Sequence, residues 1–123
     1  MKVLLIDDSP MEQKIVKIYL EKGEGYKVII AEDGKRGINI AEIEQPDLIL
    51  LDLEMPDMKG EEVLKVLKDN NKTKDIPIVI CSGSIELNEE DFVKKGASAC
   101  IRKPHGFKGL KRLVKEIVKE PFW

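Results

Sequence analysis

Short runs of apolar residues recur along the chain, and a segment with more polar residues follows each run. The runs are far too short to cross a membrane, and continuous hydrophobicity of this length is typical of strands buried on both faces of a parallel sheet. The pattern predicts strands over residues 2–6, 27–31, 48–51, 76–81 and 98–102.

The segments between these runs have the spacing of amphipathic helices. Ser9 and Pro10 are typical of a helix N-cap and a first helical residue, and Asn88 is predicted to cap a later, shorter helix. In the first helix, the polar side carries Glu12, Lys14, Lys17 and Glu21. The predicted helices cover about residues 10–22, 34–45, 61–68, 89–95 and 107–118.

Strands that alternate with helices predict a parallel sheet covered on both faces, with right-handed crossovers. The economical arrangement is a doubly wound, flavodoxin-like (βα)5 fold of class α/β, with three layers and the strand order 2-1-3-4-5. We expect one domain over residues 1–120 and a short tail over residues 121–123. In this order the carboxyl ends of strands 1 and 3 are adjacent.

The net charge and the cysteines of the sequence indicate which partners and which cellular compartment to expect. Lysine and arginine number 21 against 23 acidic residues, so a net charge of −2 gives no general attraction to nucleic acid or anionic membrane. Cys81 and Cys100 both lie in apolar segments, which favours reduced, packed thiols over a secreted disulfide framework. The first apolar run is too short for a signal peptide, so we expect a cytoplasmic protein.

Polar residues follow the predicted strands at one edge of the sheet. Asp7 and Asp8 follow strand 1, Asp52 follows strand 3, Ser82 follows strand 4 and Lys103 follows strand 5. Three converging carboxylates repel one another unless a cation is present, and hard oxygen ligands favour Mg²⁺ or Mn²⁺ over zinc. We expect Asp8 and Asp52 to bind the ion directly and Asp7 to bind it through water.

A metal ion, an ammonium group and a hydroxyl together favour phosphoryl chemistry. Asp52 is predicted to be the nucleophile that takes a phosphoryl group as an acyl phosphate. Lys103 would stabilise charge on the transferring oxygens, and Ser82 would donate a hydrogen bond. Each residue alone is weak evidence, because acidic pairs and Lys-Pro turns are common in loops.

Together these residues resemble the receiver domain of two-component response regulators over nearly the whole chain. Asp7-Asp8 is similar to the acidic pair of that family, Asp52 in DLEMPDMKG to its phosphoacceptor, Ser82 to its switch residue, and Lys103-Pro104 to its lysine with a cis proline. The resemblance implies that the backbone carbonyl of Glu54 is a further Mg²⁺ ligand. It also implies a protein that is not an enzyme beyond self-catalysed phosphotransfer and autodephosphorylation. Because little sequence follows the last predicted helix, we expect either a stand-alone, chemotaxis-type regulator or a receiver cut from a longer chain.

The same resemblance implies a sensor histidine kinase or a phosphotransfer protein as the donor, and an unidentified downstream target protein. The signal is expected at helix 4, strand 5 and helix 5. Cys100 stands where the family often has an aromatic residue, so loop 82–88 is expected to report phosphorylation instead. His105 stands where the family commonly has phenylalanine, and the Glu54 side chain is expected to influence the lifetime of the acyl phosphate.

Two other functions remain compatible with these residues. An aspartyl-phosphate phosphatase also uses a nucleophilic aspartate on a doubly wound sheet, but it has a second acid and a covering cap. A receiver-like module that binds partners without phosphate is the other alternative. The lysines of the last helix are interrupted by Glu116 and Glu120, which favours a solvated or partner-facing surface over direct nucleic-acid binding.

Overall fold

The fold is described by a computed structural model over residues 1–22, 25–83, 88–103 and 109–118. Within these ranges strands and helices alternate along the chain, as the sequence predicts. The elements are β1 (Lys2–Ile6), α1 (Pro10–Glu21), β2 (Lys27–Ala31), α2 (Gly34–Glu44), β3 (Leu48–Asp52), α3 (Gly60–Asp69), β4 (Ile78–Ser82), α4 (Glu89–Lys94), β5 (Ala99–Arg102) and α5 (Leu110–Val118). Among the residues described, no helix is both long and apolar enough to span a bilayer.

The strands form one parallel sheet in the order β2-β1-β3-β4-β5, which confirms the predicted topology. Near the carboxyl end of the sheet, Ile6 pairs with Leu51 and Asp52 pairs with Cys81. Because these partners are in register, the loops that follow β1, β3, β4 and β5 all leave from one edge. The residues with candidate chemistry are therefore gathered at this edge by the topology itself.

Two hydrophobic clusters lie on opposite faces of the sheet. One joins alternate strand residues such as Leu50 and Val79 to Val16 of α1 and Val114 of α5. The other joins the remaining strand residues to buried side chains of α2, α3 and α4, namely Ala41, Val63, Leu64, Leu67 and Phe92. Fully burying an aliphatic side chain contributes about 1.5–3 kcal/mol, so these two layers supply most of the driving force for folding.

The predicted helix caps are present. The Ser9 hydroxyl accepts a hydrogen bond from the Glu12 N–H at 3.4 Å, and the Asn88 side chain accepts one from the Asp91 N–H at 3.2 Å. Asp33 caps α2 in the same way, with the Arg36 N–H as donor at 2.8 Å. These bonds satisfy N–H groups that a helix leaves unpaired in its first turn.

Both cysteines are packed thiols, as the sequence predicts, and neither forms a disulfide. Cys81 is fully enclosed in the sheet, and burial raises its pKa to about 12. Burial also raises the pKa of the half-buried Cys100 to about 11, with a further contribution from the nearby Glu89 carboxylate. Thiols with these pKa values are poor nucleophiles at neutral pH.

Gly37 allows α2 to lie directly against β1. A Cβ atom at this position would be 2.5 Å from Cδ1 of Ile6, a side chain that is itself fully buried. We therefore expect Gly37→Ala to lower the free energy of unfolding by about 1–3 kcal/mol, even though alanine is the better helix former. Urea unfolding would measure this change.

Gly109→Ala is the matched control for Gly37→Ala, because a Cβ atom at Gly109 would meet nothing within 4 Å. This control should change the free energy of unfolding by no more than about 0.5 kcal/mol. Equal stability of the Gly37→Ala and Gly109→Ala variants would show that α2 does not depend on this close approach.

Candidate functional site

Asp7 and Asp52 lie at the carboxyl ends of the two central strands. Asp7 directly follows β1 and is 0% exposed, and Asp52 is the last residue of β3 and is 6% exposed. The alternation of a strand places Asp7 on the same face as Leu5, and Asp52 on the same face as Leu50. Both carboxylates therefore project toward the side of the sheet that α1 and α5 cover.

Two local features fix the end of β3 where Asp52 lies. Gly60 begins α3 so close to the strand that a Cβ atom there would be 2.6 Å from Cα of Leu53. Asp57, in the loop between β3 and α3, accepts hydrogen bonds from the N–H groups of Gly34 and Lys35 at 2.9 and 3.1 Å. The hydrogen bond to Gly34 lowers the pKa of Asp57, and the loop is thereby tied to the start of α2.

Lys103 brings a positive charge to the two strand-end carboxylates. Its Nζ atom lies 3.0 Å from Oδ1 of Asp52 and 3.3 Å from Oδ2 of Asp7, and its side chain is 10% exposed. The Lys103 N–H donates to the carbonyl of Ser82 at 2.9 Å, which anchors the residue beside the end of β4. The predicted convergence of Asp7, Asp52 and Lys103 is therefore present.

Glu12 is a part of this cluster that the helical pattern did not reveal. Its Oε2 atom is 2.5 Å from Nζ of Lys103, the shortest of the lysine's three carboxylate contacts. Asp7, Glu12 and Asp52 each offer a carboxylate oxygen, and these oxygens lie within 4.8 Å of one another. One signal was available, because the third residue after an N-cap commonly turns back toward the preceding chain.

Burial and mutual charge shift the pKa values of these groups. Burial, followed by the adjacent Glu12 carboxylate, raises the pKa of Asp7 to about 7. Burial also raises the pKa of Asp52, although the Lys103 ammonium opposes this effect. For Glu12 burial raises the pKa, but the hydrogen bonds with Asp7 and Lys103 outweigh it, so the pKa is lowered.

The pKa of Lys103 is raised, because the Glu12, Asp52 and Asp7 carboxylates outweigh the opposing effect of burial. The lysine is therefore protonated at neutral pH. One ammonium faces three carboxylates, so negative charge is in excess when all of them are ionised. This excess favours a further cation at the site.

A cavity of about 610 Å³ opens beside the cluster. Asp8 is exposed and lines this cavity together with Ser9, Glu12, Asp52, Glu54, Gly83 and Lys103. The Glu54 N–H donates to Oδ1 of Asp52 at 3.3 Å, so this loop residue lies directly beside the strand end. Carboxylate oxygens at an open cavity form a donor set that fits a small, hard divalent ion.

Ser82 and Cys100 lie on the adjacent strands. Ser82 ends β4, is buried, and pairs with Arg102 of β5. Cys100 lies in β5, and its N–H donates to the Glu89 carboxylate of α4 at 2.8 Å. The predictions for Pro104, His105, the tail 121–123 and most of loop 82–88 fall outside the described residues.

The comparisons with known proteins agree with this geometry. The family model described as the response regulator receiver domain matches residues 3–115 of the chain. The polar-differentiation response regulator DivK of Brucella anthropi is 30% identical over 103 residues, which cover 83% of each protein.

Solved structures show the same relationship. A CheY-like receiver domain protein from Methanospirillum hungatei is 30% identical, with a TM-score of 0.83 and coverage of 96% of this chain and 93% of that one. The chemotaxis protein CheY4 of Vibrio cholerae is 28% identical, with a TM-score of 0.83 and coverage of 94% and 97%. In fold the chain therefore resembles these receivers over 94% to 96% of the sequence.

Proposed function

Because the chain belongs to the response regulator receiver domain family, we propose that it is a signalling switch that accepts a phosphoryl group on Asp52. The observation that carries this proposal is the contact of 3.0 Å between the Lys103 ammonium and Oδ1 of Asp52, with both side chains largely buried. A carboxylate held beside a fixed cation at an open cavity can attack a phosphorus atom while the same cation stabilises the negative charge on the phosphoryl oxygens.

In the transfer, a carboxylate oxygen of Asp52 would form a bond to phosphorus while the bond from phosphorus to the donor's histidine nitrogen breaks. The donor imidazole leaves, and the product is an acyl phosphate. The Lys103 ammonium would stay in contact with the transferring phosphoryl oxygens, and the Ser82 hydroxyl would donate a hydrogen bond to one of them. In the later autodephosphorylation, a water oxygen would form a bond to phosphorus while the bond from phosphorus to the Asp52 oxygen breaks, releasing inorganic phosphate and the free carboxylate. This step would be self-catalysed, with the Glu54 side chain near the path of the attacking water.

The proposed cofactor is Mg²⁺, with Mn²⁺ as a possible substitute. Asp8, Asp52 and the Glu54 backbone carbonyl would hold the ion directly, and Asp7 would hold it through water. The ion would supply neutralisation of the negative charge on the transferring oxygens. The acidic cluster of Asp7, Glu12 and Asp52 supports a cation at this place, and Asp8 and Glu54 line the cavity beside it.

The readout would be a change in partner binding at the surface of α4, β5 and α5. Glu89 supports this route, because its carboxylate ties the start of α4 to the Cys100 N–H of β5. A shift of the loop after Ser82 on phosphorylation would displace α4 and strain this bond. The proposed partners are a sensor histidine kinase or phosphotransfer protein and a target protein in the cytoplasm, with no direct contact to nucleic acid or membrane.

Intact mass spectrometry tests the proposal directly. Protein incubated with Mg²⁺ and a small phosphodonor such as acetyl phosphate should gain one phosphoryl group, and peptide mapping should place it on Asp52. Asp52→Asn keeps the shape of the side chain but lacks the nucleophilic carboxylate, so it should gain none. An unchanged mass of the folded, Mg²⁺-bound wild-type protein would rule out this function.

A further inference from the structure

Glu12 differs from Asp7 and Asp52 in the element that carries it and in the exposure of its side chain. Asp7 and Asp52 come from strand ends and their side chains are 1% and 8% exposed, whereas Glu12 comes from the first turn of α1 and its side chain is 26% exposed. Glu12 nevertheless forms an ion pair with the Lys103 ammonium, as Asp7 and Asp52 do. The ammonium is therefore held on the α1 side of the site as well as at the sheet.

We propose that Glu12 is a positioning residue whose carboxylate holds Lys103 toward α1, and thereby strengthens cation binding and weakens binding of a phosphoryl group at Asp52. The inference rests on the proposed function, because it concerns the same site. The inference adds Glu12 of α1 to the residues of the site, and its carboxylate would shift the relative stability of the unphosphorylated and the phosphorylated protein.

The effect on the cation follows from shared oxygen atoms. The Lys103 ammonium lies 3.0 Å from the same Asp52 carboxylate that a divalent ion would use, so lysine and ion compete for it. Glu12 gives the ammonium another anionic partner, which lowers the cost of withdrawing Lys103 from Asp52. The Glu12 charge itself also attracts the ion, since its carboxylate oxygen lies within 4.8 Å of those of Asp7 and Asp52.

The effect on the phosphoryl group has the opposite sign. Glu12 and Asp52 line the same cavity, so a phosphoryl dianion on Asp52 would face the Glu12 carboxylate across it. The two anions would also share the Lys103 ammonium. Like charges at this range repel, and the shared lysine stabilises each anion less than it would stabilise one alone.

Glu12→Gln separates these effects, because glutamine keeps the length and the hydrogen-bonding oxygen but removes the charge. Calorimetric titration with Mg²⁺ alone should show affinity about three- to tenfold weaker than in the wild-type protein. Titration with beryllium trifluoride, a non-covalent mimic of the phosphoryl group, at Mg²⁺ saturating for each variant should show affinity about three- to tenfold tighter.

Asp69→Asn is the matched control, because Asp69 is an exposed carboxylate at the far end of α3. This variant should bind Mg²⁺ and beryllium trifluoride with affinities within about twofold of the wild-type values. Shifts of less than about twofold in the Glu12→Gln variant, or shifts of both ligands in the same direction, would overturn the inference while the proposed function stands. Failure of the wild-type protein to bind beryllium trifluoride with Mg²⁺ would overturn the proposed function and the inference together.

Discussion

Replacing Lys103 by methionine should lower the free energy of unfolding by about 3–5 kcal/mol at about pH 8 without divalent cations. Methionine preserves the length of the stem but leaves the carboxylates of Asp7, Glu12 and Asp52 without the ammonium that contacts all three. Two of these groups are almost fully buried, so the uncompensated charges cannot be hydrated fully. The loss is therefore larger than the loss of an exposed ion pair, which is about 0–1 kcal/mol.

Urea unfolding at two pH values and with added Mg²⁺ would test the role of Lys103. The deficit of Lys103→Met should shrink at about pH 5.5, because Asp7, with its pKa of about 7, is then protonated in the folded protein. Mg²⁺ should restore more stability to Lys103→Met than to the wild-type protein, since the ion takes over the missing positive charge.

Lys65→Met, which removes an exposed lysine of α3, is the control for Lys103→Met and should stay within about 0.5 kcal/mol of the wild-type protein under every condition. If Lys103→Met unfolds at the same urea concentration as the control, then the ammonium does not hold the cluster together. Equal stabilisation of both variants by Mg²⁺ would instead show that the ion and the lysine act at separate places.

The sequence was sufficient to predict how Asp7, Asp52 and Lys103 come together. Each of them follows an apolar run, and parallel strands in the order β2-β1-β3-β4-β5 necessarily end at one edge. Glu12 could not be predicted in the same way, because a helical wheel distinguishes only core from solvent. A polar residue in the first turn of α1 lies beside the carboxyl edge of the sheet, an environment that is neither core nor solvent. Apart from the position of Glu12 three residues after the N-cap, nothing in the sequence indicates this environment before the helix is placed on the sheet.

Small differences in the element boundaries also have physical causes. The fourth strand begins at Ile78 and not at residue 76, because Pro77 has no N–H to donate and the Ile76 N–H bonds locally to the Thr73 carbonyl. Helix α2 ends at Glu44, and Gln45 adopts φ 47°, a left-handed conformation usually taken by glycine. The Gln45 amide instead donates to the carbonyls of Ala41, Glu42 and Lys72, contacts that sequence periodicity does not encode.

Asp7→Asn should raise the free energy of unfolding by about 1–3 kcal/mol at about pH 8 without divalent cations. In the wild-type protein the pKa of Asp7 is raised from 3.8 to about 7, so between these values the folded state binds a proton that the unfolded state has released. The contribution of Asp7 to the free energy of unfolding therefore falls as the pH rises from about 4 to about 7. Above pH 7 the carboxylate is ionised in the folded protein, and the destabilisation by its buried charge is complete. Asparagine carries no charge and keeps an oxygen to accept the Ser9 N–H, which bonds to Oδ1 of Asp7 at 2.8 Å.

Urea unfolding from about pH 4.5 to about pH 8 would show this difference as a flatter pH profile for Asp7→Asn, with the two proteins closest in stability at the acid end. Asp69→Asn, which removes an exposed carboxylate, should keep the slope of the wild-type protein. Mg²⁺ should stabilise the wild-type protein more than Asp7→Asn, because the variant lacks a charge that attracts the ion. A parallel pH profile would show that Asp7 is ionised at little cost, so its charge would need no divalent ion to offset it. A steep wild-type profile that Mg²⁺ flattens would show that the buried charge opposes folding and that stability is given up for a cation site.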